Sequence, residues 1–206
     1  MINQKVRAGW DRLMRPVGQT LAKSGLSPNV VTLFGVALHA VVAVWIAQGR
    51  FLLAGLVAIV AAFSDTFDGA IAKARGATTA FGALLDSTTD RISDALIFLP
   101  IAWVYGVRPD LPSHNHPWVA GVAMGTLVAS FLVSYVKARA EGLGFECNVG
   151  FAERAERLII VIAALILDVI PVMLVILCAA TTITFLQRLF HVRGQAAQRV
   201  APGARP

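Results

Sequence analysis

Six apolar segments constrain the fold of this chain more than any other feature. They cover residues 30–48, 51–73, 80–106, 118–140, 158–170 and 172–189. All but the fifth approach or exceed the roughly 20 residues that a helix needs to cross a bilayer core. With 57% hydrophobic residues and a mean hydropathy of +0.70, the chain is too apolar for a soluble domain of 206 residues. The sequence therefore predicts an all-α membrane protein with six transmembrane helices.

The chain is predicted to have three regions. Residues 1–25 carry apolar side chains at helical spacing with basic residues between them, a pattern typical of an amphipathic helix on the membrane surface. Residues 26–193 form the six-helix domain. Residues 194–206 are predicted to be a flexible C-terminal tail.

The positions of the basic residues predict how the chain is oriented. All Lys and Arg residues except Arg50, Arg91 and Arg108 lie near the segment ends on the side of the termini. Because basic residues are retained on the cytoplasmic side, we expect a multi-pass protein of the inner (plasma) membrane with its active site facing the cytoplasm. The net charge of +6 favours anionic lipids and phosphorylated substrates over nucleic acid.

An unusual acidic stretch, residues 64–94, joins the second and third segments. Ionisable residues at membrane depth are costly and are usually functional. Two carboxylates lie three residues apart on the second segment and three lie four residues apart on the third, so each set shares one helix face. They are Asp65, Asp68, Asp86, Asp90 and Asp94. Since helices joined by a short turn are commonly neighbours, the first four carboxylates are expected to converge.

Converging carboxylates either take up protons or recruit cations. Two divalent ions would balance four negative charges, and oxygen-only ligands favour Mg²⁺ or Mn²⁺. The alternative is that these side chains cap helices or pair with Lys73, Arg75 and Arg91. Asp94 is expected either to pair with Arg91, three residues before it, or to share in catalysis.

A basic group is predicted on the same side of the membrane. It contains Ser134, Lys137, Arg139, Arg154, Arg157 and Arg188. Cytoplasmic retention of basic residues explains any one of them, and Glu153 and Glu156 could pair with the arginines beside them. The more specific interpretation is a pocket for a phosphate monoester, which arginine binds with two parallel hydrogen bonds.

A two-metal carboxylate site beside an anion pocket indicates phosphoryl transfer to or from a lipid. Asp90 is the candidate base, because it lies one helical turn beyond Asp86 and can reach both a metal and an acceptor hydroxyl.

The spacing of the acidic stretch resembles the signature of the CDP-alcohol phosphotransferases. Asp65-x-x-Asp68-Gly69-x-x-Ala72-Lys73 is followed, after eight residues, by Gly82-x-x-x-Asp86-x-x-x-Asp90, with Lys73 where the family usually has Arg. The resemblance implies a homodimer that uses two divalent cations and CDP-diacylglycerol. It implies Asp65, Asp68, Asp86 and Asp90 as metal ligands, with Asp90 as base. The nucleotide contacts implied are Asn29, Thr32, Asp68, Gly69, Lys73, Thr79 and Gly82.

The basic group resembles that of the actinobacterial phosphatidylinositol phosphate synthases within this family, which implies inositol 1-phosphate as the acceptor. The residues implied to bind its phosphate are Ser134, Lys137, Arg139, Arg157 and Arg188. The expected reaction transfers the phosphatidyl group of CDP-diacylglycerol to inositol 1-phosphate and releases CMP.

Three alternatives stay open at this point. A phosphatidylglycerophosphate synthase would run the same reaction on glycerol 3-phosphate. An intramembrane prenyltransferase also uses paired aspartate motifs, and an ion transporter also buries carboxylates.

Overall fold

The computed structural model describes residues 27–76, 79–108, 110, 111 and 116–200, together with residues 14, 16, 19, 20, 22, 23 and 25. Six helices cover most of this part of the chain. They are α1 (Pro28–Ala47), α2 (Phe51–Arg75), α3 (Ala80–Val107), α4 (Pro117–Gly142), α5 (Arg154–Leu167) and α6 (Ile170–Val200). The all-helical prediction is confirmed, while most of the surface helix predicted over residues 1–25 lies outside the described residues.

Four of the described helices are long and apolar enough to cross a bilayer. They are Pro28–Ala47, Phe51–Arg75, Pro117–Gly142 and the Ile170–Arg199 part of α6. The chain is therefore an integral membrane protein. The other two helices are not both long and apolar enough. With 14 residues, α5 is short, and α3 carries acidic residues that lower its hydropathy.

Local sequence explains where α1, α2 and α3 begin and end. Pro28 starts α1, since its missing N–H would have had no partner in the first turn. Gly76 ends α2 in the left-handed conformation, at a φ of 59° that a glycine adopts without strain. Thr79 begins α3 by accepting a hydrogen bond from the Gly82 N–H at 2.9 Å.

The helices pack in an order that differs from their order along the chain. The pairs that pack together are α1–α2, α2–α5, α5–α6, α6–α4, α4–α3 and α3–α1, which closes into a ring. The expectation that α2 and α3 are packed neighbours is wrong, because α1 packs against both and separates them. The short link after Gly76 joins the ends of α2 and α3 without bringing their lengths together.

The interior of the ring is apolar in one half and polar in the other. All six helices contribute to a hydrophobic core whose largest members include Ile46, Phe98, Ile101, Tyr105 and Leu165. Nearer the ends of the helices that carry the acidic stretch, many of the buried side chains are polar or charged, beside apolar ones such as Ile71. The polar and charged ones include Thr32, Asp68, Ser93, Arg157 and Arg188. This division places a polar site at one end of a bundle whose other end is held by apolar packing.

The last helix continues through residues 194–200, where the sequence analysis places the start of a flexible tail. Gln195 and Glu146 exchange two hydrogen bonds, from the Glu146 N–H at 3.1 Å and to the Glu146 carbonyl at 2.6 Å. One turn later, the Arg199 guanidinium lies 4.0 Å from the centre of the Phe145 ring. These contacts fasten the end of α6 to the loop between α4 and α5.

The contact between α2 and α5 depends on a glycine. A Cβ atom at Gly55 would lie 2.6 Å from Ile166 Cγ1 and 3.3 Å from the Ile166 backbone nitrogen. We expect Gly55→Ala to lower the free energy of unfolding by about 1–3 kcal/mol, because the added methyl overpacks the interface. Thermal unfolding in detergent measures this. Gly121→Ala is the matched control, since nothing lies within 4 Å of that position, and an equal loss in both variants would contradict the prediction.

Candidate active site

Three of the four predicted metal-binding aspartates line a single cavity between α1, α2 and α3. The cavity has a volume of about 450 Å³, and Asp65, Asp68 and Asp86 are in its wall. All seven predicted nucleotide contacts also line it: Asn29, Thr32, Asp68, Gly69, Lys73, Thr79 and Gly82. The structure thus brings together residues from α1 and from both halves of the acidic stretch.

The position of α1 in this cavity explains how Asp68 is held. The Thr32 hydroxyl of α1 donates to Asp68 Oδ2 at 2.6 Å, and the Gly69 N–H donates to Asp68 Oδ1 at 2.5 Å. Close approach of α1 depends on Gly35, where a Cβ atom would lie 2.8 Å from Asp65 Oδ1. Gly35 and Thr32 of α1 therefore position two aspartates of α2 at the cavity.

A second cavity, of about 310 Å³, lies between α3, α4, α5 and α6. Its wall contains Asp90 and four of the five residues predicted to bind the acceptor phosphate: Ser134, Lys137, Arg157 and Arg188. The fifth, Arg139, is exposed and does not line the cavity. Two residues correspond to about 200° of rotation around a helix, so Arg139 and Lys137 point to different sides of α4.

Arg154 joins the two cavities. Its guanidinium donates a hydrogen bond to Asp65 Oδ2 at 2.7 Å and forms an ion pair with Asp90 Oδ1 at 2.9 Å, so it contacts a carboxylate of α2 and a carboxylate of α3 at once. The sequence predicts Arg154 as part of the basic group but does not predict these partners. Spacing predicts only that Arg154 and Arg157, three residues apart, share a helix face, and it does not identify the aspartates that this face meets.

Asp94 pairs with Arg157, so the first of its two expected roles, pairing with Arg91, is wrong. The Arg157 guanidinium donates to Asp94 Oδ2 at 2.8 Å, and the two side chains are 4% and 13% exposed. Arg91 instead contacts Asp90 at 3.3 Å and the Ser87 carbonyl at 2.6 Å. A buried guanidinium needs a charged partner more than a half-exposed one does, which explains why Asp94 serves Arg157.

Arg188 is held mainly by the backbone. It donates to the carbonyls of Val149 at 2.8 Å and Val133 at 2.9 Å, and it pairs with Glu153 at 3.4 Å. Its side chain is 4% exposed. Arg188 therefore fastens α6 to α4 and to the loop before α5, and contributes positive charge to the wall of the second cavity.

The four aspartates fit divalent cations by their donor chemistry, since they offer only oxygen atoms, which Mg²⁺ and Mn²⁺ prefer. Four carboxylates also carry more charge than the one guanidinium that bridges two of them. In the described part of the chain, no three acidic, imidazole or thiol side chains lie close enough together to share one ion as they are arranged here.

Comparison with known proteins identifies the family. The family model for CDP-alcohol phosphatidyltransferases matches residues 26–193. The chain is 35% identical over 190 residues to the archaetidylinositol phosphate synthase of Pyrococcus horikoshii, covering 92% of this chain and 95% of that protein.

The fold is also that of a solved enzyme. The crystal structure of Mycobacterium tuberculosis phosphatidylinositol phosphate synthase with CDP-DAG bound matches with a TM-score of 0.77 at 33% identity, covering 95% of this chain and 98% of that one. The structure of that enzyme in complex with manganese and citrate also has a TM-score of 0.77 at 33% identity, covering 94% and 92% of the two chains. With its acidic motif, its fold and its full-length relatives in agreement, this chain belongs to the CDP-alcohol phosphatidyltransferase family.

Proposed function

We propose that this protein transfers the phosphatidyl group of CDP-diacylglycerol to inositol 1-phosphate, giving phosphatidylinositol phosphate and CMP. The observation that carries the proposal is that the aspartates line two different cavities, which Arg154 links through its contacts with Asp65 and Asp90. One contains every residue that matches the family's nucleotide-binding motif, and the other is lined by basic side chains suited to a phosphate monoester. A relative of similar length and fold is named for this reaction.

Two divalent cations, Mg²⁺ or Mn²⁺, are proposed to be held by Asp65, Asp68, Asp86 and Asp90. When bound, such cations neutralise the charge of a diphosphate and stabilise its leaving oxygen. The manganese in the structure of the mycobacterial relative supports a divalent cation in this family.

Asp90 is proposed to act as the base. It belongs to the wall of the second cavity and is joined through Arg154 to Asp65, which belongs to the first. As the acceptor hydroxyl attacks the β-phosphorus, Asp90 takes its proton. The bond from that phosphorus to the oxygen it shares with CMP breaks, and CMP leaves with the electron pair.

Lys137 is proposed to be the mobile contact to the acceptor phosphate. Its ammonium lies 3.9 Å from Glu141, and both side chains are more than a third exposed, so the pair is weak. Arg157 and Arg188 keep their protein partners and supply fixed positive charge, while Ser134 adds a hydroxyl to the same wall.

The cavity between α1, α2 and α3 is proposed to take the cytidine diphosphate group. We propose that all six helices cross the inner membrane and that the two cavities open to the cytoplasm. We also propose that the enzyme is a homodimer.

An acceptor assay tests the function. Purified protein, CDP-diacylglycerol and Mg²⁺ are supplied with inositol 1-phosphate or glycerol 3-phosphate, and CMP release is followed. We expect release with inositol 1-phosphate at a rate at least about tenfold above that with glycerol 3-phosphate, because a pocket built for several polar groups discriminates against an acceptor that leaves them unpaired. Release with glycerol 3-phosphate alone would identify a phosphatidylglycerophosphate synthase and overturn the proposal.

A further inference from the structure

We infer that Arg154 is an internal counter-ion which a metal ion must displace from the aspartates, and that its release makes it available to the acceptor. The inference rests on the proposed function, since it takes the aspartates to be metal ligands. It adds an order to the binding steps, because loading the metal would prepare the cavity for the phosphate.

The geometry of Arg154 is that of a cation bridging two helices. Its two terminal nitrogens bind different carboxylates, Asp65 on α2 and Asp90 on α3, at 2.7 Å and 2.9 Å. Hydrogen bonds between ionised partners are about twice as strong as neutral ones. Although α1 packs between α2 and α3, Arg154 contacts one carboxylate from each of them and adds to the charge that Arg91 supplies to Asp90.

A metal ion bound by the same carboxylates competes with Arg154. A divalent cation and a guanidinium repel each other, and the repulsion is strong where water is partly excluded. The carboxylates of Asp65 and Asp90 are each 18% exposed, so they are only partly screened by solvent. Metal binding therefore weakens the hold of both aspartates on Arg154.

Two other arginines of the second cavity, Arg157 and Arg188, have partners that a metal leaves unchanged. Arg157 is paired with Asp94, and Arg188 donates to two backbone carbonyls. Their side chains are each 4% exposed, whereas that of Arg154 is 25% exposed. Arg154 also lines the second cavity, so a released guanidinium already lies beside the space proposed for the acceptor phosphate.

The test is direct measurement of Mn²⁺ binding to purified full-length protein without substrates. We expect Arg154→Gln to bind Mn²⁺ about tenfold more tightly than the wild type, a difference of about 1.4 kcal/mol. Arg193→Gln removes the same charge from an exposed position on α6 and is expected to bind like the wild type. Arg91→Gln removes a charge that contacts Asp90 but no second aspartate. A smaller increase in Mn²⁺ affinity in this variant would show that the bridge between two aspartates matters, and not only the loss of a nearby positive charge.

A second readout is the coupling between metal and acceptor. Because the metal would release Arg154 beside the second cavity, Mg²⁺ should raise the affinity of the wild type for inositol 1-phosphate by at least about fivefold, and inositol 1-phosphate should raise the affinity for Mg²⁺ by the same factor. Arg154→Gln should show little of this gain. If Arg154→Gln does not fold, Arg154→Lys is the substitute. It keeps the positive charge but loses the two terminal nitrogens that contact Asp65 and Asp90 together, and it is expected to bind Mn²⁺ more tightly than the wild type by a smaller factor.

The outcomes separate the two proposals. If the wild type binds Mn²⁺ and Arg154→Gln binds it equally or more weakly, the role of Arg154 is wrong and the proposed function stands. The role of Arg154 is also wrong if Arg91→Gln increases the affinity for Mn²⁺ as much as Arg154→Gln does. If the wild type binds no Mn²⁺ even with CDP-diacylglycerol present, the metal site fails and both proposals fall.

Discussion

We expect Asp90→Asn to lower the rate of CMP release by about a thousandfold or more, within the range that a general base contributes. The asparagine keeps the size of the side chain but can neither accept the proton of the acceptor hydroxyl nor bind a cation with full charge. Asp90 lies in the wall of the second cavity and is joined through Arg154 to Asp65 of the first, so its loss is expected to act where the two substrates are proposed to meet. Single-turnover kinetics with saturating CDP-diacylglycerol and inositol 1-phosphate measure the chemical step.

Asp110→Asn is the control for this prediction. Asp110 is an exposed carboxylate paired with Arg108, outside both cavities. Asp110→Asn should leave the rate of CMP release unchanged, and both Asp110→Asn and Asp90→Asn should still bind CDP-diacylglycerol. An Asp90→Asn enzyme with more than a tenth of the wild-type rate would show that another group takes the proton.

The second large effect is on stability. Asp94→Leu should lower the free energy of unfolding by about 3–5 kcal/mol, because it leaves the buried Arg157 guanidinium without its partner. For a chain of this length the loss corresponds to about 10 °C in Tm. The Arg157 side chain is 4% exposed and its Nε already lacks a hydrogen-bond partner, so little solvent is available to compensate. Thermal unfolding in one detergent, with and without Mg²⁺, measures the change.

A double variant separates the structural part of this pair from its functional part. Asp94→Leu with Arg157→Met replaces the ion pair by apolar side chains and should recover most of the lost stability. It should not recover CMP release, because the cavity proposed to bind the acceptor has lost a fixed positive charge. Full activity in the double variant would show that Arg157 has no part in binding the acceptor.

The helices could be predicted from the sequence because helix formation and helix ends depend on residues that are close together along the chain. Runs of apolar residues determine the long helices, and Pro28, Gly76 and Thr79 mark their ends through backbone geometry. The aspartate spacing could be read for the same reason, since residues three or four apart on a helix lie on one face wherever the helix is placed. All seven residues matched to the nucleotide motif do line one cavity.

The partners across the bundle could not be read in this way. Arg154 and Asp65 are 89 positions apart, and Arg157 and Asp94 are 63 apart, so neither pair follows from spacing. A short link suggested that α2 and α3 are packed neighbours, but α1 separates them because its Gly35 and Thr32 fit against the aspartates of α2.

The sequence by itself determined which helices form, which faces carry the carboxylates and which chemistry those groups can support. Only the tertiary structure decided that Arg154 bridges two of the carboxylates, that Asp94 is committed to Arg157 and that Arg139 points away from the cavity. The physical reason is that periodicity and capping depend on neighbours along the chain, whereas the pairing of buried charges depends on which helices pack together and at what register.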